Sequence, residues 1–254
     1  MNAPTAQPAG GRPAHGYAAV TELPDIKEYG AAKDGAPQSS EKRLFFELLV
    51  YTGCSDPAAA SSALKAAGLE SVLYLDATDP RGIGVLLLAE DPSVFVGQAR
   101  AVLCAEPFRS LTPRPEMTMI GRTYSTGFEQ DLEEWLLRKP RRNAFNPELP
   151  WAVWYPLRRK PEFELLEKDE QRKILFEHAK LGMGYGAAGF AHDIRLACHG
   201  LDRNDNEFLL GLVSSQLYPL SRLVQDMRKT QQTSKYIQSL GPFFVGKVHS
   251  TVQR

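Results

Sequence analysis

Short apolar runs alternate with amphipathic stretches along most of the chain, a pattern that predicts a mixed α and β fold. The first part predicts strand 44–51, a helix opened by Asp56-Pro57, strands 72–75 and 83–88, a helix over 91–104 and strand 117–125. The second part predicts strand 151–155, helix 163–187, strands 193–199 and 207–214, helix 218–230 and a closing strand at 243–245. Both parts follow the order β-α-β-β-α-β of the ferredoxin-like unit.

The predicted fold class is therefore α+β, with two tandem ferredoxin-like halves within one chain. The boundaries predicted are a leader at 1–41, an N-terminal half at 42–128, a basic connecting segment at 129–150 and a C-terminal half at 151–254. The leader is rich in Pro, Ala and Gly without apolar periodicity, which indicates a disordered or extended segment. Two halves packed sheet against sheet would leave an interior large enough for a ligand.

Charge and composition narrow the classes of partner. Lys and Arg number 30, as do Asp and Glu, so no overall field attracts a nucleic acid or an anionic membrane. The apolar runs are far shorter than the roughly 20 residues that span a bilayer, which predicts a protein without membrane segments. Three scattered cysteines without C-x-x-C spacing indicate a reducing, cytoplasmic location.

His178 is the histidine that the helical pattern singles out. Ile174, His178, Leu181 and Tyr185 follow each other at spacings of four, three and four, which places the imidazole on the apolar stripe of its helix. One interpretation is a buried histidine bonded to a carbonyl group. The other is a proximal haem ligand, because Gly182 and the nearby Gly184 would let a flat group approach.

A second candidate feature is a basic cluster with aromatic neighbours. Seven Lys and Arg residues against one acid lie between Arg138 and Lys160, and every tryptophan of the chain lies in or beside this segment. The alternatives are a solvated surface loop, a base-stacking surface or a site for a large flat carboxylated ligand. The neutral net charge favours the carboxylated ligand over a nucleic acid.

Several fragments, in order, resemble the chlorite dismutase family, which includes the peroxide-dependent coproheme decarboxylases. The fragments are Gly121-Arg122-Thr123-Tyr124, Trp154-Tyr155-Pro156-Leu157-Arg158-Arg159, Glu177-His178 with Gly182 and Tyr185, Gly200-Leu201-Asp202, and Gly241-Pro242-Phe243-Phe244-Val245-Gly246. The resemblance implies that the two α+β halves pair as in a dimeric α+β barrel within one chain. It also implies a homopentamer with one haem in the C-terminal half of each chain.

The resemblance also implies roles for single residues. His178 matches the proximal iron ligand, and Tyr155 matches the tyrosine that becomes a radical in the decarboxylases. Arg159 stands where a lysine is common and is expected to act in catalysis by pairing with the propionate from which Tyr155 takes hydrogen. Arg141 matches a propionate-binding arginine. The remaining cofactor contacts expected are Arg158, Trp154 and Gly182.

The implied activity is that of a haem-binding oxidoreductase that uses hydrogen peroxide to convert iron-coproporphyrin III to haem b. The expected cofactor is haem b or iron-coproporphyrin III. Chlorite dismutases carry a distal arginine. In this sequence, counting forward from His178 places Ala191 at that position, and counting back from Gly200-Leu201-Asp202 places Asp193 there, with Arg195 nearby. A chlorite dismutase, a generic haem peroxidase and a non-enzymatic haem carrier or sensor therefore stay open as alternatives.

Overall fold

The structure, a computed structural model, describes residues 23–253. Its strands are β1 (Glu28–Lys33), β2 (Ala36–Ser40), β3 (Phe45–Thr52), β4 (Ser71–Asp76), β5 (Ile83–Ala89), β6 (Thr112–Pro113), β7 (Met119–Arg122), β8 (Trp151–Arg159), β9 (His192–Ala197), β10 (Phe208–Ser214), β11 (Ile237–Leu240) and β12 (Phe244–Val252). Its α-helices are α1 (Pro57–Ala66), α2 (Arg100–Leu103), α3 (Lys139–Phe145), α4 (Lys168–Ala187) and α5 (Leu217–Met227). Turns of π-helix at Phe95–Ala99 and Glu134–Arg138 run into α2 and α3.

The element order confirms the predicted α+β class. One ferredoxin-like set runs β3, α1, β4, β5, α2, β7, and its strands lie in the order β7-β3-β5-β4. The other runs β8, α4, β9, β10, α5, β12, and its strands lie in the order β9-β10-β8-β12. All the strand pairs within these two sets are antiparallel. The exact division at 42–128 and 151–254 stays a prediction.

The two sets close into an eight-stranded barrel. Strand β12 pairs with β4 along most of its length, whereas β7 and β9 meet only at Arg122 and Ala197. Alternate residues of each strand point inward. Phe46 and Trp154 meet there with ring centroids 6.2 Å apart, and Leu136 and Phe145 pack against the same cluster. The expected ligand-sized space between the sheets is therefore filled by side chains.

Local chemistry explains why α1 begins where the sequence predicts it. Asp56 is the N-cap, and its carboxylate accepts a hydrogen bond from the backbone N–H of Ala59 at 3.1 Å. Pro57 occupies the first helical turn, where no backbone donor is needed. The helix buries Ala60 and Leu64 against the outer face of the first sheet.

Strands β1 and β2 form a hairpin inside the segment that the sequence assigned to a leader without regular elements. Glu28 anchors it, since its carboxylate accepts from the backbone N–H of Ser125 at 2.8 Å and from Arg122 at 3.0 Å. These partners are more than 90 residues away along the chain, so no local pattern reveals them. The part of the predicted leader at 1–22 lies outside the described residues.

None of the helices formed by residues 23–253 has the length and apolar character that crossing a bilayer requires.

We expect Gly211→Ala to lower the free energy of unfolding by about 1–3 kcal/mol, because overpacking a dense core forces side chains to shift. A Cβ at Gly211 would lie 2.5 Å from the Trp154 ring, whereas a Cβ at Gly97 meets nothing within 4 Å. Urea unfolding of both alanine variants checks this. A loss at Gly211→Ala no larger than at Gly97→Ala would mean that the barrel interior is loosely packed.

Candidate functional site

The outer face of the second sheet carries a row of chemically distinct side chains. Tyr155 of β8 is directly opposite Leu210 of β10, and Leu210 is directly opposite Arg195 of β9. In the neighbouring row, Leu212 of β10 is directly opposite Val153 of β8 on one side and Asp193 of β9 on the other. Residues directly opposite each other in paired strands point to one face. Tyr155, Arg195 and Asp193 therefore share the face that α4 and α5 cover.

His178 reaches the same layer from α4. The imidazole is half-buried on the stripe that begins with the buried Ile174, as predicted. Its Nδ1 lies 3.2 Å from the hydroxyl oxygen of Thr230. That hydroxyl donates to the carbonyl of Met227 at 2.8 Å, so its oxygen is free to accept. This arrangement assigns the proton to Nδ1 and leaves the lone pair of Nε2 free for a metal ion.

Electrostatics connect the helix to the sheet. Burial lowers the pKa of His178, the guanidinium of Arg195 lowers it further, and the carboxylate of Glu177 opposes both. Burial also raises the pKa of the Tyr155 phenol, and the carboxylate of Asp193 adds to this effect. At neutral pH the site therefore presents a neutral imidazole and a protonated phenol.

Tyr155 is held firmly in its row. Its ring stacks on Phe243 with the centroids 4.7 Å apart, and the residue is 7% exposed. The hydroxyl hydrogen is retained at neutral pH because burial raises the phenol pKa, so this side chain offers a hydrogen-bond donor rather than a base.

A cleft of about 980 Å³ lies between the C-terminal half of α4 and the start of α5. Leu181 and Tyr185 line it, and both belong to the same stripe as His178. Gly184 also lines the cleft, and a Cβ there would meet nothing within 4 Å. Gly182 instead faces α5, where its Cβ would lie 3.3 Å from the methyl group of Met227. The open glycine is therefore Gly184.

Trp154 is a predicted cofactor contact, but its side chain lies on the inner face of the sheet, opposite to the face that carries Tyr155. It is fully buried inside the barrel against Phe46, whereas Tyr155 points outward. Consecutive residues of a strand point to opposite faces, so the two aromatic side chains do not share one pocket.

Arg141 and Arg158, which are also predicted cofactor contacts, are bound to other groups of the protein. Arg141 is held by Glu70 at 2.9 Å and Glu90 at 3.2 Å, and the surface pocket that it lines has no residue of α4. Arg158 donates to the carbonyl oxygens of the turn at 204–205 and pairs with Asp205 at 3.2 Å. Neither arginine shares a contact with His178.

Arg159 lies four residues beyond Tyr155 on the same outer face, but it is already paired with two glutamates, which its position in the sequence does not reveal. Its guanidinium binds Glu207 and Glu164, each at 3.1 Å, between the rings of Phe163 and Phe208. A substrate carboxylate would have to replace one of these glutamates. Its role in holding a propionate stays a prediction.

Residues 116–249 match the model of the chlorite dismutase family, which is more than half of the chain. The chain belongs to this family. It is 33% identical over 113 residues to a coproheme decarboxylase of Oceanobacillus iheyensis, an alignment that spans 41% of this chain and 43% of that protein. The chain thus spans less than half the length of this curated relative.

Solved structures of the family share the fold. A heme-binding protein from Thermus thermophilus is similar with a TM-score of 0.62 and 20% identity, over 82% of this chain and 92% of that one. Chlorite dismutase from Candidatus Nitrospira defluvii in complex with imidazole gives a TM-score of 0.63 and 14% identity, over 83% and 93%. At these identities the likeness establishes the fold alone.

Sequence reasoning did not find Thr230. The residue follows α5 and is 52 positions from His178, so only the packing of α4 against α5 reveals the contact. A hydroxyl residue at the end of a predicted helix was the available signal, and it is too common to be specific.

We expect Thr230→Val to redistribute the imidazole proton of His178 between its two nitrogens. A hydrogen bond of about 0.5–1.5 kcal/mol corresponds to a change of about 2- to 12-fold in the tautomer ratio. Nitrogen-15 NMR of the histidine side chains in the apoprotein measures this ratio, and Thr230→Ser should restore it. An unchanged ratio in the valine variant would show that Thr230 does not orient the ring.

Proposed function

We propose that the chain binds an iron porphyrin between α4 and the outer face of the second sheet, with Nε2 of His178 as the axial ligand. We further propose that it is an oxidoreductase that decarboxylates iron-coproporphyrin III to haem b at the expense of hydrogen peroxide. The observation that carries the proposal is the imidazole of His178, which contacts Thr230 through Nδ1 and lies within electrostatic range of Arg195, in the row that contains Tyr155. Resemblance to the family adds a homopentamer to the proposal, and the scattered cysteines without C-x-x-C spacing add a cytoplasmic location.

The residues present fit an axial ligand to a porphyrin. A porphyrin supplies four nitrogen ligands of its own, so one imidazole with a free lone pair completes the set that haem iron needs from the protein. The cleft lined by Gly184 gives room beside α4. Leu181, one turn after His178, lines this cleft, whereas the imidazole itself does not. When bound, the iron porphyrin supplies the reaction with the oxidising equivalents of peroxide.

Tyr155 is the residue that connects oxidation to the substrate. Its buried phenol keeps its hydrogen at neutral pH and stacks on Phe243, so the ring stays in place when the hydroxyl hydrogen leaves. In this proposal the oxidising equivalents of peroxide remove the phenol hydrogen, and the phenolic oxygen then takes a hydrogen atom from a propionate. The resulting carbon radical gives up carbon dioxide and one further electron, which the same oxidant accepts, to form a vinyl group. The 33% identity to a coproheme decarboxylase supports this reaction.

A chlorite-converting or general peroxidase activity is the second candidate, and Arg195 favours it. Its guanidinium lies on the outer face of β9 and acts electrostatically on His178. Arg195 is therefore the candidate for the distal cation that such chemistry requires. Turnover of chlorite without decarboxylation would select this candidate. Porphyrin binding without either reaction would select the haem carrier or sensor.

We expect His178→Ala to weaken binding of iron-coproporphyrin III by more than the 10- to 100-fold that loss of a ligand's supporting hydrogen bond costs. The axial bond is lost, while the half-buried position loses little packing. Titration followed by the Soret band measures the affinity. His249→Ala, on exposed β12, is the matched control. A histidine-ligated spectrum in His178→Ala would remove His178 as the ligand.

We expect Tyr155→Phe to bind iron-coproporphyrin III normally and to give no decarboxylated product after peroxide is added. The phenyl ring keeps its stacking on Phe243, and only the hydrogen that must leave is missing. Mass spectrometry of the extracted porphyrin measures the product.

Tyr74→Phe is the control for that variant, because Tyr74 is another buried phenol but lies inside the barrel against Phe244. Full turnover by Tyr155→Phe would assign the hydrogen transfer to another group. Equal loss of turnover in both variants would show a general effect of removing a buried hydroxyl.

A further inference from the structure

Asp193 is a carboxylate on the outer face of β9 that the reaction proposed above does not use. Its side chain is about one-third exposed, at 36%. One oxygen accepts from Nε of Arg195 at 2.8 Å, and the other lies 3.5 Å from Nζ of Lys139. Its backbone carbonyl accepts from the side-chain amide of Asn143 at 3.0 Å, so the main chain is held as well.

The two cations that hold Asp193 are themselves held. The guanidinium of Arg195 lies 4.7 Å from the ring centroid of Trp135, and the ammonium of Lys139 lies 4.4 Å from the same ring. Such contacts with an indole ring are attractive and limit the positions of both cations. The carboxylate is thereby held by two positioned cations and fixed in direction.

Asp193 also acts on the reactive side chains. It is directly opposite Leu212, in the row beside the one that contains Tyr155. Its charge raises the pKa of the Tyr155 phenol, and that of its partner Arg195 lowers the pKa of His178. The carboxylate therefore lies within electrostatic range of the layer between α4 and the sheet.

We propose that Asp193 is the general base that accepts a proton from hydrogen peroxide in this layer, and this inference rests on the proposed function. The carboxylate oxygen gains the proton, and the peroxide becomes the hydroperoxide anion. No electron is transferred in this step. Arg195 and Lys139 carry only donors, and Tyr155 keeps its hydrogen, so among these groups the carboxylate is the acceptor.

Cyanide and imidazole separate this role from a structural one. Hydrogen cyanide must lose a proton to the protein before it binds as an anion, whereas neutral imidazole binds without losing one. The experiment measures both association rates by absorbance on the protein loaded with iron-coproporphyrin III. The variants are Asp193→Asn, Asp193→Glu and, as a control with the same change of charge, Asp169→Asn at the exposed start of α4.

We expect Asp193→Asn to slow cyanide association by roughly 100-fold or more, the lower end of what general base catalysis contributes. Imidazole association should stay within about twofold, Asp193→Glu should recover part of the cyanide rate, and Asp169→Asn should match the wild type. Removing the negative charge of Asp193 would by itself speed the association of an anion. A slower cyanide association rate would therefore show that Asp193 acts as a base rather than through its electrostatic field.

An unchanged or faster cyanide rate in Asp193→Asn would overturn the inference, as would equal slowing of imidazole. If the cyanide effect is present but no decarboxylated product forms, Asp193 is the base and the proposed reaction is wrong. If the wild-type protein binds no iron porphyrin, both proposals are overturned.

Discussion

The packed interior of the closed barrel is the constraint on which the rest of the structure depends. Phe46, Trp154 and their neighbours fill the space between the two sheets, so no ligand enters there. Because side chains alternate across a strand, every residue that packs inward commits the next one to the outer face. Trp154 inward places Tyr155 outward, and the register of β10 and β9 then brings Arg195 into the same row. The candidate site residues Tyr155 and Arg195 therefore lie in the layer between the outer face of the second sheet and the helices α4 and α5.

The second determinant is the contact between α4 and the end of α5. Thr230 is 5% exposed, and its hydroxyl oxygen forms a hydrogen bond with Nδ1 of His178. The same hydroxyl donates a hydrogen bond to the carbonyl of Met227. The same two helices are joined by the hydroxyl of Tyr185, which donates to Asp226 at 2.8 Å. These contacts hold α4 against the end of α5, and the cleft lined by Gly184 opens between α4 and the start of α5.

Much of this arrangement follows from local sequence. The order of strands and helices, the cap at Asp56 and the placement of His178 on an apolar stripe each depend on spacing within a few residues. Trp154 was open to the same reasoning, since strand alternation alone separates it from Tyr155. The positions of the arginines were not open to reasoning from local sequence. Arg141 meets Glu70, which is 71 residues away, and Arg159 meets Glu207, which is 48 residues away. A local excess of positive charge cannot reveal partners that only the tertiary fold brings together.

The most direct test of the account is a crystal structure of the protein grown with iron-coproporphyrin III. The account predicts density for the porphyrin between α4 and the outer face of β8, β9 and β10, with the iron bonded to Nε2 of His178. Nδ1 of the same ring should remain on Thr230, and Tyr155 should face the macrocycle or one of its propionates. A porphyrin bound elsewhere, or iron ligated by any other side chain, would contradict the central claim.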